Sequence, residues 1–282
     1  MQRRSFLVAG GDSAVIISQR THKYARHSLI KIQLVAQAAG SFYLSMRGFL
    51  RSTANSTRGA CPEFEAARRE MVARQIRDRG IRDERVLEAM QAVPRHLFVP
   101  DAHLRSAYAD EPLPIGEGQT ISQPFMVAAM AEALSLTGNE LVLEVGAGSG
   151  YQAAVLSQLA RAVIAVETQL TLAASARNRL RTMGYANVRI EVGDGSAGWP
   201  SVAPYDAILV AAAAPAVPQP LIDQLAEGGR LVIPVGSPQQ QELLRIVKRE
   251  GRTSDQSLHA CRFVPLLGRY GWRRGVQEAN FG

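Results

Sequence analysis

Residues 141 to 150 read Leu-Val-Leu-Glu-Val-Gly-Ala-Gly-Ser-Gly, a short apolar strand that runs through an acid into three glycines spaced two apart. An apolar helical stretch, Tyr151 to Leu159, follows at once. Strand, tight glycine loop and helix in that order form the opening unit of an α/β sheet that binds a nucleoside ligand at its strand ends. The dinucleotide fingerprint spaces its glycines G-x-G-x-x-G, because its loop wraps a pyrophosphate and hands it to a helix N-terminus. Here Gly146, Gly148 and Gly150 give G-x-G-x-G. Glycines without a Cβ let backbone approach a ligand closely, and this spacing does so without a pyrophosphate cradle. It therefore favours S-adenosylmethionine over NAD. Taken alone, the loop also fits NAD variants or a bare strand-turn-helix joint.

The chain downstream repeats the arrangement. A strand from Ala162 to Val166 ends in Glu167, about 20 residues past the first glycines, where a nucleotide-binding fold carries the acid that accepts ribose hydroxyls. A third strand, Val188 to Val192, runs into Gly193, Asp194 and Gly195. Either acid alone reads more simply as a cap or turn residue. Three strand ends that each present an acid or glycines favour the ligand site. A helix at Leu172 to Met183 lies between the second and third of these strands. After them come a strand Asp206 to Val210, a short helix Pro220 to Leu225, a Gly228-Gly229 turn and strands Arg230 to Val235, Glu242 to Lys248 and Leu258 to Val264. Two helices precede them, Glu63 to Arg79, stopping at Gly80, and Asp83 to Ala92, ending before Pro94. Alternation of this kind predicts a doubly wound, mostly parallel sheet with helices on both faces.

Charge divides the chain. The whole carries a formal net charge of +7 in 282 residues, which would suggest a nucleic-acid partner. Residues 1 to 60, however, hold nine Lys or Arg against one acid, Asp12, while the other 222 residues hold 23 bases and 24 acids. The predicted organisation is a basic, poorly ordered extension over residues 1 to 60 and a nearly neutral catalytic domain over 61 to 282, with no nucleic-acid partner expected. Leu29 to Leu50 is too interrupted by Lys31, Gln33, Gln37, Gly40 and Arg47 to span a membrane. Cys61 and Cys261 are too few and too unpatterned for a disulfide framework or zinc site, which suits a reducing, cytoplasmic setting. No metal is expected, and a monomer is the default.

Before the glycine loop lies Pro112-Leu-Pro-Ile-Gly-Glu-Gly-Gln-Thr-Ile-Ser-Gln-Pro124, rich in turn residues and directly preceding an apolar helix, Phe125 to Leu134. Ser122 or Gln123 is expected to cap that helix, with Pro124 in its first turn. The helix start and its neighbouring hydroxyls could also attract a carboxylate, since free N–H groups and a positive dipole end favour anions.

Together these residues resemble the protein-L-isoaspartate O-methyltransferases of bacterial type. The likeness runs from about Phe64 to Leu267 and includes the whole of Leu113-Pro-Ile-Gly-Glu-Gly-Gln-Thr-Ile-Ser-Gln-Pro124. It extends to Ala92-Val-Pro-Arg-His-Leu-Phe-Val-Pro100, Leu143-Glu-Val-Gly-Ala-Gly-Ser-Gly-Tyr-Gln152, Gly193-Asp-Gly195, Gly228-Gly-Arg-Leu-Val-Ile-Pro-Val-Gly236 and Arg262-Phe-Val-Pro-Leu266. The resemblance implies a seven-stranded, Rossmann-like class I methyltransferase sheet. It also implies methyl transfer from S-adenosylmethionine, leaving S-adenosylhomocysteine, to the free carboxylate of isoaspartyl residues in damaged proteins and peptides. Closure of the ester to a succinimide, and its hydrolysis, then return part of the damage to aspartate. The family's functional serine falls on Ser122. Two positions depart from the common pattern: Ala147 stands where many members have Thr, and Ala211-Ala212-Ala213 stands for Thr-Ala-Ala. Both lose a hydroxyl and keep a small side chain.

Roles follow by position. Glu144 and the loop of Gly146, Ala147, Gly148 and Gly150 are expected to hold the methionine end of the cofactor, Glu167 the ribose, and Asp194 with Gly195 the adenine edge. Thr120, Ile121, Ser122 and Gln123 are expected to meet the substrate. A carboxylate is ionised at neutral pH, its ordinary pKa being about 4, so the reaction needs alignment and no base. His96 and His103 accordingly read as structural. Two other classes share these features: a methyltransferase for RNA or a small molecule, and a binding module that keeps the pocket without turnover.

Overall fold

The computed structural model describes Pro62 to Arg273; the predicted extension over residues 1 to 60, and Cys61, lie outside the described residues. Strands β3 (Leu141–Val145), β4 (Ala162–Glu167), β5 (Val188–Val192), β6 (Tyr205–Val210), β7 (Leu225–Gly236), β8 (Gln241–Arg249) and β9 (Arg252–Cys261) form one seven-stranded sheet in the order β5-β4-β3-β6-β7-β8-β9. The pairings from β5 through to β7 are parallel, and β7-β8 and β8-β9 are antiparallel. The predicted mostly parallel sheet is therefore present. Because β4 lies on one side of β3 and β6 on the other, the order reverses at β3, and a crevice opens at the carboxyl ends of these strands.

The strands alternate between two cores. Val142, Val163, Ala165, Ile190, Leu209 and Val232 face one core, and Leu143, Val145, Ile164, Val166, Ile208 and Ile233 face the other. The first core is covered by α2 (Glu84–Ala92), α3 (Pro124–Ala133), α4 (Tyr151–Ser157) and α5 (Leu170–Thr182), together with the helical run from α1 (Pro62–Glu70) through Met71–Ile76 and Arg77–Arg79. The second is covered more thinly, by α6 (Gln219–Asp223) and the short 3-10 turns Gly195–Ala197 and Pro200–Val202. Both faces carry helix, unequally.

Several boundaries match their chemical signals. The first helical run stops at Gly80, whose φ of 107° only glycine adopts readily. Asp83 caps α2 by accepting the Arg85 amide at 2.9 Å. Others differ from expectation. Gly228 and Gly229 are a bulge inside one long strand, β7, where Tyr205 pairs with Leu225 and Ala207 with Arg230, rather than a turn between elements. The last strand begins at Arg252, not Leu258, and ends at Cys261. Its first half, Arg-Thr-Ser-Asp-Gln-Ser, is an exposed edge with no apolar periodicity to reveal it.

The segment Leu113 to Ile121 is an antiparallel hairpin, β1 (Leu113–Gly116) with β2 (Gln119–Ile121), where the sequence suggested only an ordered loop. At its tip Gly116, Glu117 and Gly118 all take positive φ. Pro124 does occupy the first turn of α3, as expected, but no side chain caps that helix: Gln123 sits at the cap position and donates instead to the Asp110 carbonyl at 3.0 Å.

Candidate active site

The crevice at the switch point is a cleft with about 800 Å³ of empty space, its open mouth included. Its floor is the loop after β3. Gly146 and Ala147 amides donate to the Val166 carbonyl at 2.9 and 3.2 Å, while the Arg179 guanidinium holds the Ser149 carbonyl at 2.8 Å. The loop is thus tied to β4 and α5. Gly146 takes a φ of 92° and Gly148 a φ of 52°, left-handed values that favour glycine. A Cβ on Gly148 would also stand 3.2 Å from Ile115 Cδ1, because the β1-β2 hairpin roofs the loop. Glu117 at the hairpin tip accepts a hydrogen bond from the Thr171 hydroxyl at 2.8 Å, which fastens the roof to the start of α5.

Two carboxylates stand in the cleft. Glu144 is fully buried, and neither of its oxygens has a hydrogen-bond partner. Burial, and then the nearby Glu167 charge, push its carboxyl well above the usual range. Glu167 is partnered: Oε2 accepts the Gly148 amide at 2.8 Å and Oε1 the Gln169 amide at 2.9 Å. Each of its oxygens keeps a further lone pair for a ligand. The Gln152 amide, also buried in the cleft wall, has an Nε2 without a partner. Buried polar atoms are normally satisfied, so three orphans around one cleft mark a place where a polar ligand completes the bonding. An amino acid joined to a ribose and a base has donors and acceptors for such atoms, and the residues present fit S-adenosylmethionine.

Of the residues expected at the site, Glu144, Gly146, Ala147, Gly148, Glu167, Gly195, Thr120, Ile121 and Ser122 line this cleft together. Three do not. Gly150 begins α4 at a φ of 87° and lies so near α5 that a Cβ would stand 3.1 Å from Leu180; it serves helix packing. Asp194 has both oxygens engaged, Oδ1 by the Ser196 amide and hydroxyl at 3.0 and 2.6 Å and Oδ2 by the Arg269 amide at 2.7 Å. It caps a 3-10 turn and anchors the chain near residue 269, the turn role that its position also allowed. Gln123 faces a neighbouring groove.

His96 and His103 do not line the cleft. His96 is buried, stacked on Phe64 at 4.2 Å, with Nδ1 2.8 Å from the Tyr108 hydroxyl. Burial, and then Arg68, lower its pKa to about 4.

Sequence reasoning passed over the far wall, Val264 to Leu267. Pro265 bridges to Ala213, and the Leu266 amide donates to the Ala213 carbonyl at 2.8 Å, so the stretch after β6 carries this wall across the cleft. The Arg262-Phe-Val-Pro-Leu266 motif was the available signal, but nothing in it foretold where it packs. The two alanine departures fall in the lining, where Ala147 and Ala211 keep small side chains against the ligand space.

Comparison with known proteins gives one result at every level. Residues 66–271 match the family model for protein-L-isoaspartate(D-aspartate) O-methyltransferase. A protein-L-isoaspartate O-methyltransferase 2 of Geotalea uraniireducens is 58% identical over 74% of this chain and 97% of its own length. A protein-L-isoaspartate O-methyltransferase of Methanoculleus marisnigri is 56% identical over 74% of this chain and 95% of its own. Among solved structures, a protein-L-isoaspartate O-methyltransferase superposes with a TM-score of 0.67 at 29% identity, over 72% of this chain and 67% of the other. A Plasmodium falciparum structure carrying the same enzyme name, in complex with S-adenosyl-L-homocysteine, gives 0.61 at 26% identity, over 71% and 98%. The chain belongs to the protein-L-isoaspartate O-methyltransferase family.

Proposed function

We propose a division of labour for a cleft that moves a methyl group from S-adenosylmethionine to the free carboxylate of L-isoaspartyl residues in damaged proteins, the first step of their repair. Glu144 and Gln152, whose buried polar atoms lack partners, take the charged amino-acid end of the cofactor. Gly146 and Gly148 let the loop backbone come close to it. Glu167, already holding the loop, accepts the ribose hydroxyls with its remaining lone pairs. Gly195 leaves room for the adenine, since a Cβ there would stand 2.6 Å from Val145 Cγ1 and push the wall inward. When bound, the cofactor supplies an electrophilic methyl group on a sulfonium.

The substrate carboxylate needs no base, being ionised at neutral pH. What the chain must do is align it, and bringing the reacting oxygen to about 3 to 3.5 Å from the methyl carbon is itself worth several kcal/mol. Ser122 is the residue assigned to that task. Ser122 lines both the cofactor cleft and the neighbouring groove, and among the described residues its hydroxyl has no hydrogen-bond partner. That free hydroxyl is the observation that carries the reading. A neutral donor orients the carboxylate without stabilising its charge so strongly that the less charged transition state is disfavoured. Thr120 and Ile121 of β2 set the entrance, and Gln123 meets the substrate from the groove side.

Every residue in this scheme comes from one chain, so a monomer is sufficient. Among the described residues no helix is long and apolar enough to cross a membrane. With cysteines this few, we assign the enzyme to the cytoplasm. The alignment role is tested by comparing methyl transfer to an isoaspartyl peptide by wild type and Ser122→Ala; a variant with full activity would remove Ser122 from the chemistry.

A further inference from the structure

A second groove, about 940 Å³ with its open mouth, adjoins the cleft and shares Thr120 and Ser122 with it. Arg79, Phe125, His259 and Arg262 also line it, and none of its lining residues is acidic. Two of the acids that border it are occupied, while the exposed Glu111 precedes the lining residue Pro112. Asp110 accepts Arg79 at 2.7 Å, and Glu242, in register with Ala260, accepts the Ser257 hydroxyl at 2.9 Å. Arg79 Cζ stands over the Phe125 ring, 3.7 Å from its centroid, its charge partly answered by Asp110. Arg262 is exposed and, among the described residues, has no hydrogen-bond or ion-pair partner. Among the described residues that line the groove, Arg262 is thus a cation with no partner.

One wall of the groove is the end of a strand. That wall includes the consecutive residues His259 to Phe263, at the end of β9, and β9 is the last strand of the sheet, with β8 on one edge and no strand on the other among the described residues. An open strand edge offers backbone groups to an added peptide segment, and adjacent side chains set its specificity. A peptide whose isoaspartyl carboxylate reaches Ser122 has its flanking residues at this groove.

We propose that the groove selects isoaspartyl sites by the charge of their neighbours, favouring acidic flanking residues over basic ones through Arg262. This rests on the reading of Ser122 as the residue that meets the substrate carboxylate. Exposed charges act modestly and are screened by salt, so the preference is of moderate size and fades as ionic strength rises.

The test uses the full chain and three peptides identical except for Glu, Gln or Lys on both sides of the isoaspartyl residue. For wild type at low salt, kcat/KM should rank Glu above Gln above Lys, with about three- to tenfold between the extremes. The spread should shrink at high salt. Arg262→Glu should flatten or reverse the ranking while the melting temperature stays unchanged. An Arg262→Gln variant, which removes the charge without reversing it, should fall between. No ranking in wild type, or the same ranking in wild type and Arg262→Glu, would overturn the proposal while leaving the isoaspartyl activity in place. Failure to methylate any of the three peptides would instead refute the reading of the Ser122 site, and the groove's role with it.

Discussion

The Glu167 carboxylate accepts the Gly148 amide at 2.8 Å, so the acid at the end of β4 holds the glycine loop that follows β3. The two residues are 19 positions apart and meet because β3 and β4 are parallel neighbours in register, Val145 beside Val166. One side chain thus has two duties in this account: it shapes the loop, and it offers its remaining lone pairs to the ribose.

Replacing Glu167 with Ala should disturb both. Loss of charge-assisted hydrogen bonds of about 1.5 to 3 kcal/mol corresponds to roughly 10- to 150-fold weaker cofactor binding. The freed Gly148 amide should also lower the melting temperature. Titration calorimetry with S-adenosylhomocysteine, beside thermal unfolding without ligand, separates the two duties. A lower melting temperature with unchanged affinity would leave Glu167 as a loop anchor alone.

For Ser122→Ala the absence of a cap bond changes the expectation. Since its side chain has no partner among the described residues, removing the hydroxyl should leave the melting temperature almost unmoved. Loss of a hydrogen bond to the substrate carboxylate should lower kcat/KM by about 10- to 150-fold, with the cofactor Kd constant. A drop in stability with normal turnover would contradict the assignment.

Glu144 gives a pH signature. Its carboxyl is raised by burial and by Glu167, so in the free protein it holds a proton to higher pH than an ordinary carboxyl does. If its ionised form receives the cationic end of the cofactor, binding requires that proton to leave. Affinity should therefore weaken as pH falls through the raised pKa, and binding should release protons there. Glu144→Gln should bind less tightly at higher pH and lose most of the pH dependence. Parallel pH profiles of Kd for wild type and variant would count against the assignment.

His96 gives the opposite linkage, on stability. Its folded pKa is depressed to about 4 from the ordinary value of 6.5, so between those values the unfolded chain takes up the proton more readily. The stability that comes from keeping the ring neutral is present above pH 6.5 and is lost as pH falls towards 4. His96→Phe keeps the stacking partner for Phe64 but cannot titrate, and its melting temperature should fall less steeply across that window. Equal slopes for the two proteins would place the acid sensitivity elsewhere.

The parallel strands were legible because strands buried on both faces are written as apolar runs: Leu141 to Val145 is the same segment in sequence and in structure. Glu144 stood out for the same reason, as the one charge in such a run. That its oxygens lack partners was not legible, because that depends on what neighbouring strands bring. The hairpin over residues 113 to 121 and the first half of β9 were missed for different reasons. The start of β9 is exposed and held by backbone pairing, which leaves no periodic pattern, whereas the hairpin buries Leu113 and Ile121 but carries proline and glycines that read as turn residues. Asp194 shows the converse: its position after a strand suggested a ligand contact, and the structure adds bonds from the Ser196 hydroxyl and the Arg269 amide. No local spacing could reveal a partner 75 residues away.

The central claim is that this cleft methylates the misplaced carboxylate of isoaspartyl residues. It is tested most directly by methyl transfer from S-adenosylmethionine to two peptides that differ only in an isoaspartyl or an aspartyl linkage at one position. Ester should form on the isoaspartyl peptide and not on its aspartyl counterpart. Equal transfer to both, or cofactor binding with transfer to neither, would contradict it.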